Sequence, residues 1–184
     1  MGDSKTQENE FTTWPTTLAA SIRTATGSTL NLKNYGANGT TVAVALGNLA
    51  GLFAAANLPP SQPNMVLINF GVNDGIDTTN ATARTAWENN YIALIDATVA
   101  AYPLTHFWLM RPWKRGMAAG QADGYATGIA NIITARPSLV SLGPDERVWL
   151  EGGDNGATNT VDGVHYTAAG NSQAVSQWLT TLGY

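Results

Sequence analysis

Asn64-Met65-Val66-Leu67-Ile68-Asn69-Phe70-Gly71 is the stretch that decides the fold class. Four apolar residues in a row, two of them β-branched, are too few for a helix and read as a strand buried on both faces. Such strands belong to parallel sheets whose faces are covered by helices. Outward from it, short apolar runs alternate with helical patterns, the signature of an α/β layer structure. Further strands are predicted at residues 28–32, 106–110 and 139–142, and helices at 14–25, 41–56, 82–101, 124–136 and 168–182. Thr12 or Thr13 is available to cap the first helix, whose first turn tolerates Pro15. Asn57 and Pro59-Pro60 close the second helix, and Gly128 weakens the fourth. With no internal repeat, linker or low-complexity tail, one domain over residues 1–184 is expected.

Composition narrows the function. Hydrophobic residues make up 44% of the 184, enough for a core, while charged residues are only 12%. A net charge of −4 with nine scattered Lys and Arg argues against nucleic acid, which requires clustered cations. No Cys is present, so disulfides, thiolate nucleophiles and zinc–sulfur sites are excluded, and two His are too few for a multi-histidine metal centre. The longest apolar runs, 65–70 and 49–56, fall far short of a membrane span. Polar residues begin at Gly2, so no signal peptide is read and a soluble chain is expected. Its compartment stays open; an extracellular location would follow if the chain is part of a longer precursor. Oligomeric state is also open.

The segments expected to be loops are rich in Gly, Asn and Asp and follow strands or precede helices. In open parallel sheets ligands bind outside the carboxyl ends of the strands, so function is sought there. Gly2-Asp3-Ser4 alone reads equally as a turn or a helix cap. Asn34-Tyr35-Gly36-Ala37-Asn38-Gly39-Thr40-Thr41 leads from a strand into a helix, which Thr40 or Thr41 can cap. Its backbone N–H groups could face an anion, or form an ordinary turn. Asn73, in Phe70-Gly71-Val72-Asn73-Asp74-Gly75, would put an amide donor over the sheet edge, although Asn-Asp-Gly is also plain turn chemistry. Asp162 and His165, three apart in one tight turn, can pair a carboxylate with an imidazole Nδ1–H and leave Nε2 as a base. His106, beside the apolar 107–110 run, is read as structural.

These four blocks, in this order, resemble the SGNH hydrolases, also called the GDSL esterase family, and 162–165 running into Tyr166-Thr167-Ala168-Ala169-Gly170 is especially close to that family's final block. The resemblance covers essentially the whole chain. It implies a three-layer α/β/α sandwich with a central parallel sheet, flavodoxin-like in topology. It also implies a serine esterase with Ser4 as nucleophile, His165 as general base and Asp162 orienting it. The oxyanion hole would be Ser4 N–H, Gly39 N–H and the Asn73 side chain, with no metal or other cofactor. Asp3 and Asp74 are expected to fix their loops. In this family the Ser motif ends a first, central strand, but only three residues precede Ser4 here, so that strand is expected to be missing or truncated. A fragment, a segment from a neighbouring molecule, or a sheet closed without that strand would each account for it.

The substrate is a small-molecule or carbohydrate ester on this reading. Arg111-Pro112-Trp113-Lys114-Arg115 follows a strand and overlooks the expected site. Arg111 could meet an anionic group and Trp113 stack on a sugar or cover an acyl chain, or Trp113 could simply pack on its neighbours. Trp149 invites the same two readings. With no long apolar flap, short acyl chains are expected, acetyl groups on carbohydrate among them. The alternative is a non-catalytic carbohydrate-binding or tail-associated module that kept the fold.

Overall fold

The computed structural model describes residues 1–7, 14–56, 60–61, 64–151 and 158–184. Its three strands, β1 (Asn64–Ile68), β2 (Thr105–Arg111) and β3 (Val140–Asp145), form a parallel sheet in the order β1-β2-β3. Val66 pairs with Phe107, which in turn pairs with Val140, and the register slips between Leu109 and Arg111. Phe107 and Leu109 are fully buried, whereas His106 and Trp108 lie on the less buried face. There His106 Nε2 meets Ser141 Oγ at 2.9 Å, the structural role expected of it.

Helices flank the sheet: α1 (Trp14–Thr26), α2 (Val42–Gly47), α3 (Leu49–Ala56), α4 (Ala81–Ala101), α5 (Ala119–Ala135), α6 (Glu146–Leu150) and α7 (Ala168–Leu182). Local chemistry fixes their starts. Asn80 accepts the Thr82 and Ala83 N–H groups, Thr167 accepts Gly170 N–H, and Thr41 accepts Val44 N–H. Helix α5 packs on α4 closely enough that a Cβ at Gly128 would lie 2.8 Å from the Trp87 ring. Helix α1 packs on α7 through the stacked rings of Trp14 and Trp178, 5.6 Å apart.

Three expectations need correction. The helix expected over 41–56 is two, because Asn48 breaks from helical geometry between α2 and α3. The helix expected from Gly124 starts at Ala119, and α6 was not anticipated. The strand expected at 28–32 forms no ladder, since a strand exists only where a neighbour accepts its hydrogen bonds. Between that segment and β1 lies a cavity of about 500 Å³, lined by Leu18, Ile22, Leu30, Phe53, Val66 and Tyr102 among others. Thr12, Thr13, Asn57 and Pro59 lie outside the described residues.

The first strand is reduced to a stub. The Met1 nitrogen donates to Leu67 O at 2.7 Å, Met1 O accepts Asn69 N–H, and Asp3 N–H donates to Asn69 O. On the other side Ala37 N–H donates to Gly2 O at 3.1 Å, so Gly2 bridges Asn69 and Gly36 in parallel. These few bonds seat Ser4 at the carboxyl end of β1.

Candidate active site

Ser4 lies in a turn closed by Thr6 and Gln7 N–H groups, both donating to Asp3 O. The Asp3 side chain accepts Lys5 N–H at 3.0 Å, which fixes the loop from within. The next loop comes so close that a Cβ at Gly36 would sit 2.3 Å from Gln7 N and Thr6 C. Asn34 Nδ2 adds a bond to Thr6 O at 2.8 Å. The Ser4 turn is thus clamped between the end of β1 and the loop that leads into α2.

His165 arrives from the opposite end of the chain. Thr160 and Tyr166 bridge in antiparallel fashion, and the turn between them is tightened by Asp162 Oδ1 accepting the Val164 and His165 N–H groups at 2.9 Å each. The other carboxylate oxygen lies 2.7 Å from His165 Nδ1, and His165 Nε2 lies 2.9 Å from Ser4 Oγ. Partial burial pushes the Asp162 carboxyl up. The donors from His165 and Val164 and the His165 charge outweigh it and hold the group at about 2. An ionised Asp162 requires the proton on Nδ1, which leaves the Nε2 lone pair facing the Ser4 hydroxyl.

The expected oxyanion donors belong to three separate loops. Asn73 sits in the turn closed by Asp74 N–H on Gly71 O. Its Nδ2 is buried and makes no hydrogen bond among the described residues. Ser4 is itself buried, whereas Gly39, at φ +70°, is exposed. Asp74 ties the Asn73 loop to the Gly39 loop by accepting Val42 N–H at 3.1 Å. Burial, with the Asp3 carboxyl nearby, pushes Asp74 up to about 6 against the pull of that bond. A buried amide donor left without a partner among the described residues suits a site that supplies the partner only when an oxyanion forms.

Trp113 is 2% exposed and Trp149 is 6%, so both indoles belong to the core and neither offers a face for stacking. Arg111 stays partly exposed, with Nη1 3.3 Å from Asp145 Oδ2. The 152–156 loop lies outside the described residues. Among the described residues no group of three or more His, Asp or Glu side chains is placed to hold a metal ion.

Sequence reading missed Glu146 and Lys5. Glu146 is wholly buried and accepts from Lys5 Nζ, Trp113 N–H, Asn69 Nδ2 and the Tyr166 hydroxyl. In the sequence it stands in Gly143-Pro144-Asp145-Glu146-Arg147, which reads as a polar turn, and only the fold reveals its burial.

The chain also answers to known proteins. Residues 1–173 match the model of the GDSL-like lipase/acylhydrolase family. The chain belongs to that family. It is thereby placed among carboxylic ester hydrolases. A psychrotrophic esterase from Pseudoalteromonas sp. superposes with a TM-score of 0.74 at 18% identity, over 100% of this chain and 94% of the other. An acetylxylan esterase from Geobacillus stearothermophilus gives 0.75 at 20% identity, over 100% and 92%. At these identities the likeness establishes the fold. A comparison with curated proteins finds no match. No helix among the described residues is long and apolar enough to cross a membrane.

Proposed function

We propose that this member of the family is a serine esterase acting on short acyl esters, acetyl groups on carbohydrate included. The observation that carries the reading is the line Ser4 Oγ, His165 Nε2, His165 Nδ1, Asp162 Oδ2, with contacts of 2.9 and 2.7 Å. Ser4 Oγ attacks the ester carbonyl carbon as its proton passes to Nε2, and Asp162 stabilises the imidazolium. The carbonyl oxygen gains the electron pair and takes hydrogen bonds from Ser4 N–H, Gly39 N–H and Asn73 Nδ2. The C–O bond to the leaving group breaks, and His165 returns the proton to the departing alcohol. Water then repeats the sequence on the acyl-enzyme, releasing the acid and restoring Ser4.

The acetyl preference is supported by the absence of an apolar flap in the sequence and by the acetylxylan esterase among the solved structures of similar fold. Hydrolysis of p-nitrophenyl esters from acetyl to decanoyl, by wild type beside Ser4→Ala, tests the reading. Turnover highest at acetyl, absent in the variant, with covalent labelling of Ser4 by a fluorophosphonate, is the expected result. A folded protein that neither turns over any ester nor takes the label overturns it.

A further inference from the structure

We propose that Glu146 is a positioning residue that holds the nucleophile, the base and the Asn73 loop in one arrangement. The inference rests on the esterase reading of Ser4 and His165. Its ground is which residues Glu146 binds. Lys5 directly follows Ser4, Tyr166 directly follows His165, and Asn69 stands at the end of β1, where the chain turns toward Asn73. Oε2 accepts from Lys5 Nζ at 2.5 Å and from Trp113 N–H at 2.6 Å. Oε1 accepts from Asn69 Nδ2 at 3.1 Å and from the Tyr166 hydroxyl. Lys5 Nζ reaches further, to Trp113 O at 3.1 Å.

All of these groups are buried: Glu146 and Asn69 show no exposure, Lys5 3% and Tyr166 5%. A buried ion pair is a poor source of stability, because well-packed apolar residues of the same volume serve as well or better. What a carboxylate supplies that apolar packing does not is one acceptor shared by four donors on separate loops. Moving any one of those loops strips a bond from a buried charge, which costs far more than a lost contact between side chains in water. The loops therefore keep their spacing, and with it the alignment of Ser4 Oγ and His165 Nε2. None of the four donors touches the reacting atoms, so Glu146 acts through their neighbours.

Glu146→Gln and Tyr166→Phe, singly and together, test this. Glutamine keeps the shape but turns N–H groups toward Lys5 and Trp113, and phenylalanine keeps the ring and removes one donor. With sites counted by fluorophosphonate, at a temperature well below melting, kcat per site should fall roughly tenfold in Glu146→Gln and about threefold in Tyr166→Phe. KM should stay within twofold. The double variant should lose no more than Glu146→Gln alone, since both act on one network. The downfield proton resonance of His165 Nδ1–H should shift or broaden in Tyr166→Phe. Values of kcat per site within twofold of wild type in both single variants, with only the melting temperature lowered and that proton unmoved, overturn the proposal. If Glu146→Gln does not fold, Tyr166→Phe decides alone by the same criteria. A wild type inert toward esters and label refutes the esterase reading instead, and the Nδ1–H resonance still tests Glu146.

Discussion

Asp74 accepts the Val42 N–H through one carboxylate oxygen, while the other, also buried, makes no hydrogen bond among the described residues. Its carboxyl is raised from the ordinary 3.8 to about 6. Between those values the folded state binds a proton that the unfolded chain has released, so this group makes stability fall as pH rises from about 4 to 6. Asp74→Asn keeps the acceptor for Val42 and removes the ionisation. The difference in melting temperature between variant and wild type should grow across that window in the variant's favour and level off above it. Parallel profiles would show that Asp74 ionises normally.

Asn73→Ala removes a buried Nδ2 that makes no hydrogen bond among the described residues. Turnover should drop roughly 10²–10³-fold, as when an oxyanion donor is deleted, with KM and melting temperature little changed. A variant that keeps most of its kcat would take Asn73 out of the hole.

The acid limb of the rate profile should belong to His165. Asp162 stays ionised down to about pH 2, so protonation of its own carboxyl does not set that limb. Protonated Nε2 cannot accept the Ser4 proton, and kcat/KM should fall with decreasing pH. Asp162→Asn keeps an acceptor for the Val164 and His165 N–H groups but loses the charge that selects the tautomer. Its kcat should drop by about 10⁴-fold. A rate that stays flat as pH falls from 8 to 5, or a mild effect of Asp162→Asn, would break this assignment.

Gly36→Ala should damage catalysis without touching a reacting group. The added Cβ would meet the backbone of Thr6 and Gln7 at 2.3 Å, so the turn bearing Ser4 must yield. A displacement of about 1 Å can cost 10²-fold in rate, and kcat should fall by that order while the circular dichroism of the sheet and helices is retained. Normal kinetics in this variant would mean that the turn has slack.

What was legible in the sequence was what local chemistry decides. The apolar run before Asn69, the cap at Thr41 and the Asp162–His165 turn each depend on residues a few positions apart. Residues 28–32 carry a strand's composition, but strand formation depends on a partner from elsewhere in the chain, which composition does not register. Trp113 stayed open between stacking on substrate and packing on its neighbours, and Glu146 drew no reading at all, because burial is set by what folds over a residue: Trp113 lies in the core, and Glu146 is covered by Lys5, Asn69 and Tyr166. The candidate donors could be named one by one, but not the Asp74–Val42 bond that ties two of their loops.

Ser4 and His165 stand 161 positions apart, and α1 meets α7 through the Trp14–Trp178 stack and the Trp14 N–H bond to Asn171 Oδ1. Domains fold as they are synthesised, amino-terminal parts first. A nascent chain whose residues 158–184 are still in the ribosome therefore carries the Ser4 hydroxyl without His165 beside it. On the proposed mechanism, hydrolysis waits on the segment that carries His165 and not on the sheet.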